Sequence, residues 1–249
     1  VFTLLEQGLG FVGRGVADIG WTSLGGMLIA LLLAWVLPKT QLKRPDLMVV
    51  VWLVLFVVQY FNNMIEAYFF TTVFASFSVF AGGAFACLLA TLVFGIASGV
   101  LFLPETHDRS LVYGLSSYLR GGSPSSSVWR IVVGSLVYFP IYFFFGGLIG
   151  PFVLPFYTEP SIGLVIPPIT VIIPLEFFRG FLYVMSLLLI FATLRANRRT
   201  VFLAVTLILY VPGALVPLLV EHSLPAGIVP FLLAEILGVS VVYGVVLTY

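Results

Sequence analysis

Long apolar runs separated by short polar breaks occupy most of the chain from about residue 20 onward. A helix needs roughly 20 apolar residues to cross the ~30 Å hydrocarbon core of a bilayer, because its backbone groups find no water there and must pair within the segment. Seven runs meet this requirement, at residues 20–37, 47–70, 79–103, 130–154, 164–194, 201–219 and 226–248. The pattern predicts an all-α, polytopic membrane helical bundle of about seven transmembrane helices.

The positively charged residues collect in alternate connections between these runs. Nine of the 11 Lys and Arg residues lie in the first, third and fifth connections: Lys39, Lys43, Arg44, Arg109, Arg120, Arg130, Arg195, Arg198 and Arg199. Positively charged loops remain on the cytoplasmic side during membrane insertion. We therefore expect a multi-pass protein of the cell membrane with its amino end outside and its carboxyl end cytoplasmic.

Two shorter segments have the periodicity of surface helices. Before the first span, apolar residues recur at the spacing of one helix face, namely Leu5, Leu9, Val12, Val16 and Ile19. Residues 1–19 are predicted to form an amphipathic helix at the outer interface, with the remnant of a longer upstream segment as the alternative. Residues 20–249 then form one transmembrane domain. Its inner loop, residues 104–129, is predicted to carry a short helix over 111–119, lying in the headgroups or serving as a docking segment.

Small residues and prolines predict where helices approach each other and where they bend. Gly95 and Gly99, and likewise Gly146 and Gly150, place small residues on one helix face, which permits close packing of a neighbouring helix. Six prolines between positions 151 and 174 crowd the outer ends of the fourth and fifth spans. This corner is therefore predicted to be kinked or re-entrant.

Composition excludes several kinds of chemistry. Only 8% of the residues are charged and 61% are hydrophobic, with a mean hydropathy of +1.19 and a formal net charge of +1. Such a chain has no basic surface for nucleic acid. The two histidines, His107 and His222, fall on opposite sides of the predicted topology, and the single cysteine, Cys87, lies within a span. We therefore predict no metal site, no cofactor and no histidine-assisted nucleophile.

Ionisable residues inside the predicted spans are the strongest candidates for a functional site. A charged side chain at the centre of a span costs about 3 kcal/mol, so it normally faces the bundle interior and has a partner. The candidate ligand or proton site comprises Glu66, Glu176, Arg179, Glu235, Asn62, Asn63 and Tyr183. We expect Arg179 to be shared among the three glutamates in the outer half of the bilayer, with the two asparagines supplying amide hydrogen bonds. In the structural alternative, Glu176 and Arg179 only neutralise each other within their helix.

One short segment resembles a known family. Residues 176–182, with the sequence EFFRGFL, look like the Glu-Glu-x-x-x-Arg segment of the CPBP intramembrane proteases, the Abi family, in which Phe-Arg-Gly also recurs. The family has two adjacent glutamates four and five residues before its arginine. Here one glutamate precedes Arg179 by three residues, and the membrane histidines of the family have no counterpart. The resemblance implies a shared fold and intramembrane hydrolysis.

These observations leave three classes of function. The first is a non-catalytic subunit or scaffold of a larger membrane assembly, because the missing catalytic and metal-ligating residues then need no further explanation. The alternative is a small-solute or proton-coupled transporter that uses the buried cluster. An intramembrane hydrolase similar to the CPBP family ranks third. The expected partners are the lipid bilayer and other membrane protein chains.

Overall fold

The protein, in a computed structural model, folds into a bundle of α-helices described over residues 16–102, 109–121, 123–220 and 224–249. Within these ranges there are two short 3₁₀ helices, Leu37–Lys39 and Pro160–Ile162, no strand, and eight longer helices: α1 Val16–Val36, α2 Arg44–Phe70, α3 Phe77–Leu101, α4 Leu111–Arg120, α5 Pro124–Tyr157, α6 Ile169–Thr193, α7 Arg198–Val220 and α8 Val229–Thr248. All except α4 are long and apolar enough to cross a membrane, which confirms the seven predicted spans. Most of the interfacial helix predicted for residues 1–19 lies outside the described residues.

The ends of the helices follow local capping chemistry more closely than hydropathy. Helix α5 begins six residues earlier than predicted because the Ser123 hydroxyl accepts a hydrogen bond from the Ser126 amide and Pro124 occupies the first turn. Helix α6 begins at Ile169, five residues later than predicted, because Ile166 and Pro167 each precede a proline, which disfavours helical backbone, and Pro168 is the N-cap.

In the proline-rich corner, the prolines do not divide α5 into separate helices. Helix α5 runs as one continuous helix to Tyr157 and contains Pro140, Pro151 and Pro155. The break in regular helix falls instead within residues 158–168, where the turn at Gly163 has a positive φ of 70°. Of the two predicted forms, the re-entrant one is therefore not formed by the fourth span, while a kink at these prolines stays a prediction.

The connections rich in Lys and Arg meet at one end of the bundle. The Lys43 amide donates to the Arg109 carbonyl at 3.0 Å, and the Arg195 amide donates to the Lys39 carbonyl at 2.9 Å. We call this the cation-rich end. At the opposite end the second and fourth connections meet, where the Thr72 amide donates to the Gly163 carbonyl at 2.9 Å. The alternation predicted from charge is thus present in the fold, while the membrane side on which each end lies stays a prediction.

Close helix packing occurs at one of the two predicted glycine pairs. Gly95 and Gly99 of α3 lie against α2, where a Cβ at Gly95 would come within 2.9 Å of the Trp52 Cβ. The Trp52 indole also donates to the Leu88 carbonyl at 2.8 Å, so α2 and α3 are joined by packing and by a hydrogen bond. Gly150 has only Leu154 of its own helix nearby, so the second pair does not form a helix-packing face.

Two helices contain π-helical turns at the place where they meet. The turn in α2 is Phe56–Phe61 and the turn in α7 is Val211–Leu215, and they contact each other. Pro217 has no N–H to donate to the Gly213 carbonyl four residues earlier. The Asn63 side-chain amide of α2 donates to that carbonyl at 2.8 Å and to the Gln59 carbonyl at 3.0 Å. A side chain therefore replaces a missing backbone hydrogen bond and joins the two irregular turns.

Candidate functional site

The centre of the site is a buried arginine that bridges two helices. Arg179 and Glu176 lie three residues apart on α6, and the Arg179 Nη1 donates to both Glu176 carboxylate oxygens at 2.9 Å. Its Nη2 donates to the Glu66 Oε2 of α2 at 2.6 Å. Charge-assisted hydrogen bonds of this length are the strong ones in proteins. Arg179 is 3% exposed and Glu176 is 0% exposed, so the two charges are removed from solvent together.

Two tyrosines of α5 complete the surroundings of the arginine. The Tyr142 hydroxyl donates to the Glu66 Oε1 at 3.2 Å. The Arg179 guanidinium carbon lies 5.5 Å from the Tyr142 ring centroid and 5.8 Å from that of Tyr138, within the range of cation–π attraction. Neither tyrosine was among the predicted site residues. Their four-residue separation puts them on one helix face and was the signal available in the sequence.

Glu235 of α8 does not join the ion pairs. The prediction that Arg179 is shared with Glu235 differs from the structure, because both terminal nitrogens of Arg179 are occupied by Glu176 and Glu66. Glu235 is 7% exposed, and across the described residues its carboxylate has no hydrogen-bond or ion-pair partner. It faces α5 at Gly146, where a Cβ would lie 3.2 Å from the Glu235 Oε1. The glycine thus leaves room for the carboxylate.

The two asparagines do not donate to the carboxylates, contrary to the prediction. Asn63 is bonded to the Gln59 and Gly213 carbonyls. Asn62 is fully buried, and neither atom of its amide has a hydrogen-bond partner in the described part of the chain. The one-residue step from Asn62 to Asn63 rotates the side chain by about 100° around the helix axis, so the two amides point in different directions.

A cavity of about 220 Å³ lies beside this cluster, between α2, α5, α6, α7 and α8. Three charged residues of the predicted site line it, namely Glu66, Arg179 and Glu235, whereas Glu176 does not. The lining also includes Thr71, Val73, Leu164 and Leu224 at the end opposite the cation-rich end. We call these four residues the mouth. Val73 is 39% exposed and the side chain of Glu66, within the cavity wall, is 31% exposed, which places this end of the cavity at the surface of the protein.

The inner end of the cavity is closed by aromatic packing. Tyr138, Tyr183 and Val239 line its deepest part, which we call the floor. The rings of Tyr138 and Tyr183 have centroids 5.1 Å apart, and the ring of Tyr243 lies 5.2 Å from that of Tyr138 on the far side. Tyr243 is 0% exposed and its hydroxyl donates to the Gly134 carbonyl at 2.9 Å. A stack of tyrosines therefore separates the cavity from the cation-rich end.

The close contact of α5 and α6 holds the floor in place. A Cβ on Gly180 would overlap the Ser135 carbonyl oxygen and lie 2.7 Å from the Tyr138 Cβ. Only a residue without a side chain allows this approach. Gly180 directly follows Arg179, so the same short segment positions both the guanidinium and the tyrosine beneath it.

Comparisons with known proteins leave the family open. No protein-family model matches the chain, and neither a curated protein nor a solved structure matches it. The seven apolar helices identify an integral, multi-pass membrane protein.

Proposed function

We propose that the protein is a membrane transporter for a small solute, which binds in the cavity beside Glu66, Arg179 and Glu235. The observation that carries this proposal is a cavity open at the mouth and closed at the floor, with an unpaired carboxylate inside the bundle. Burial of an ionisable group without a partner is costly. Such a group is therefore expected at a site that a solute or proton occupies during function.

The irregular helices around the cavity support the same function. α2 and α7 both line it and both contain π-helical turns, which are frequent at functional sites. Transporter sites are often built from interrupted helices, because unwound backbone and helix bends can rearrange around a fixed site. In an alternating-access cycle, the floor acts as the closed gate that separates the cavity from the cation-rich end.

The other two functions gain less support from the site. A subunit or scaffold role stays a prediction, since an unpaired Glu235 in a cavity does not serve to hold helices together. For hydrolysis of the CPBP type, Glu176 would have to reach water. Both of its carboxylate oxygens accept hydrogen bonds from Arg179, and it does not line the cavity.

Sided labelling of a cysteine at the floor tests the proposal. Val239→Cys is introduced into a Cys87→Ala background, and the protein is reconstituted in one orientation in liposomes. A membrane-impermeant thiol reagent is applied from each side in turn. A transporter exposes position 239 alternately, so we expect labelling from the mouth side and, in a second fraction of molecules, from the cation-rich side.

Two control cysteines frame this result. Leu232→Cys lies in the cavity wall and should react from the mouth side. Val93 lies on α3, outside the cavity, and is 66% exposed on the outer face of a membrane span, where lipid surrounds it. A polar reagent should therefore not label Val93→Cys from either side. Labelling of position 239 from the mouth side alone would indicate a static cavity and would contradict transport.

A further inference from the structure

The charges around the cavity do not balance, and this imbalance indicates what the cavity binds. Arg179 is the only cationic residue in the described lining, and its terminal nitrogens are already bonded to Glu176 and Glu66. Glu235 lines the same cavity, is 7% exposed and lacks an ion-pair partner among the described residues. Glu235 is thus the carboxylate without a partner, and a cluster of three carboxylates with one guanidinium can accept a positive group from outside the chain.

The remainder of the wall is mostly apolar and aromatic. Apolar side chains such as Met64, Leu218, Leu232 and Ile236 line it, and so do the rings of Tyr138, Tyr142 and Tyr157. A carboxylate combined with aromatic rings is the arrangement that recognises organic cations, because the ring faces attract positive charge and the apolar surface takes the body of the ligand.

A divalent inorganic cation fits this wall poorly. Ca²⁺ and Mg²⁺ require about six or more oxygen ligands. No group of three or more His, Cys, Asp or Glu side chains that could hold a metal ion occurs in the described part of the chain. An anion is disfavoured as well, since the carboxylates of Glu66 and Glu235 both face the cavity.

We propose that the cavity binds a small organic monocation, a protonated amine with an apolar body, whose ammonium group pairs with the carboxylate of Glu235. A volume of about 220 Å³ accommodates up to about ten non-hydrogen atoms, at roughly 20 Å³ for each packed atom. This substrate class rests on the transport function proposed above. It adds the chemistry of the ligand and the residue that selects it.

A matched pair of probes separates charge from shape. Benzylammonium and benzyl alcohol have similar size and the same aromatic body, but only the first is positively charged at neutral pH. Binding is measured by titration calorimetry on the full chain in lipid nanodiscs, with benzoate as the anionic probe. We expect benzylammonium to bind at least about tenfold more tightly than benzyl alcohol, and benzoate to bind most weakly.

Variants assign the preference to one carboxylate. Glu235→Gln should remove the tenfold preference and keep the binding of benzyl alcohol, while Glu235→Asp should retain the preference because the charge remains. Glu159→Gln removes the same charge at an exposed position near the same end and should leave all three affinities unchanged. Retained binding of the alcohol by Glu235→Gln also shows that the variant is folded.

Several results would overturn the assignment. Equal binding of benzylammonium and benzyl alcohol, or a preference that survives in Glu235→Gln, would mean that Glu235 does not select a cation. Binding of none of the three probes would exclude this ligand class. The sided labelling of position 239 is independent of any probe, so a wrong ligand class and a failure of the transport function give different outcomes.

Discussion

Replacing Arg179 with Met should strongly destabilise the protein. Methionine keeps a long, unbranched apolar side chain at this position but removes the guanidinium that donates hydrogen bonds to Glu176 and Glu66. Removing one partner of a buried ion pair costs about 3–5 kcal/mol, equivalent to roughly a hundredfold to a few thousandfold in the unfolding equilibrium. Most of this cost should come from Glu176, which is 0% exposed, because the side chain of Glu66 is 31% exposed and keeps its bond from Tyr142.

A second substitution tests whether the loss of stability arises from the unpaired, buried carboxylate of Glu176. In the double variant Arg179→Met with Glu176→Met, two packed apolar side chains replace the pair. Such replacements are often neutral or stabilising. The double variant should therefore be more stable than Arg179→Met alone by about 2 kcal/mol or more. As a control, Arg120→Met removes an exposed arginine and should change stability by less than about 0.5 kcal/mol.

The free energy of unfolding is measured by titrating purified protein in mixed micelles with sodium dodecyl sulfate and following tryptophan fluorescence. All variants are compared at the same detergent composition, and the single variant Glu176→Met completes the thermodynamic cycle. A double variant whose destabilisation equals the sum of the two single changes would refute the reasoning, since it would mean that the charges of Arg179 and Glu176 do not stabilise each other.

The remaining two predictions concern contacts between helices, and the sodium dodecyl sulfate titration measures the stability of each variant. Asn63→Leu should cost about 1–3 kcal/mol because two backbone carbonyls lose a donor, whereas the adjacent Asn62→Leu should be neutral or stabilising since its amide is buried without a partner in the described chain. Equal losses in the two variants would contradict this assignment. Gly180→Ala should cost about 1–3 kcal/mol because the methyl group overlaps α5. Gly147→Ala meets no atom within 4 Å and should not destabilise the protein, so equal tolerance at both positions would disprove the close approach.

Hydropathy predicted the seven spans because each helix in a bilayer must pair its backbone N–H and C=O groups within its own segment and present apolar side chains to the lipid. A run of apolar residues such as Phe77–Leu101 forms a helix in the hydrocarbon core regardless of which helices pack beside it. The ends of the helices were less predictable. The Ser123 cap with Pro124 determines where α5 begins, and the backbone restriction before Pro167 and Pro168 determines where α6 begins. These effects are not part of mean hydropathy.

Part of the candidate site was also readable from the sequence. Residues three apart on a helix lie on one face, so the pairing of Glu176 with Arg179 follows from their spacing. The buried carboxylates of Glu66 and Glu235 were found because ionisable groups within spans are rare and costly. The spacing gave no means of choosing which of these two glutamates reaches the arginine.

The sequence by itself determined the membrane-spanning character, the number of spans, the common end of the Lys- and Arg-rich connections and the ion pair within α6. Only the tertiary structure decided that Glu66 completes the arginine site, that Glu235 remains unpaired beside Gly146, and that five helices enclose a cavity above a floor of tyrosines. The physical reason is that hydropathy and helical spacing act within one helix. Which polar groups meet depends on the neighbours and rotation of each helix, and these are set by packing between segments far apart in the chain.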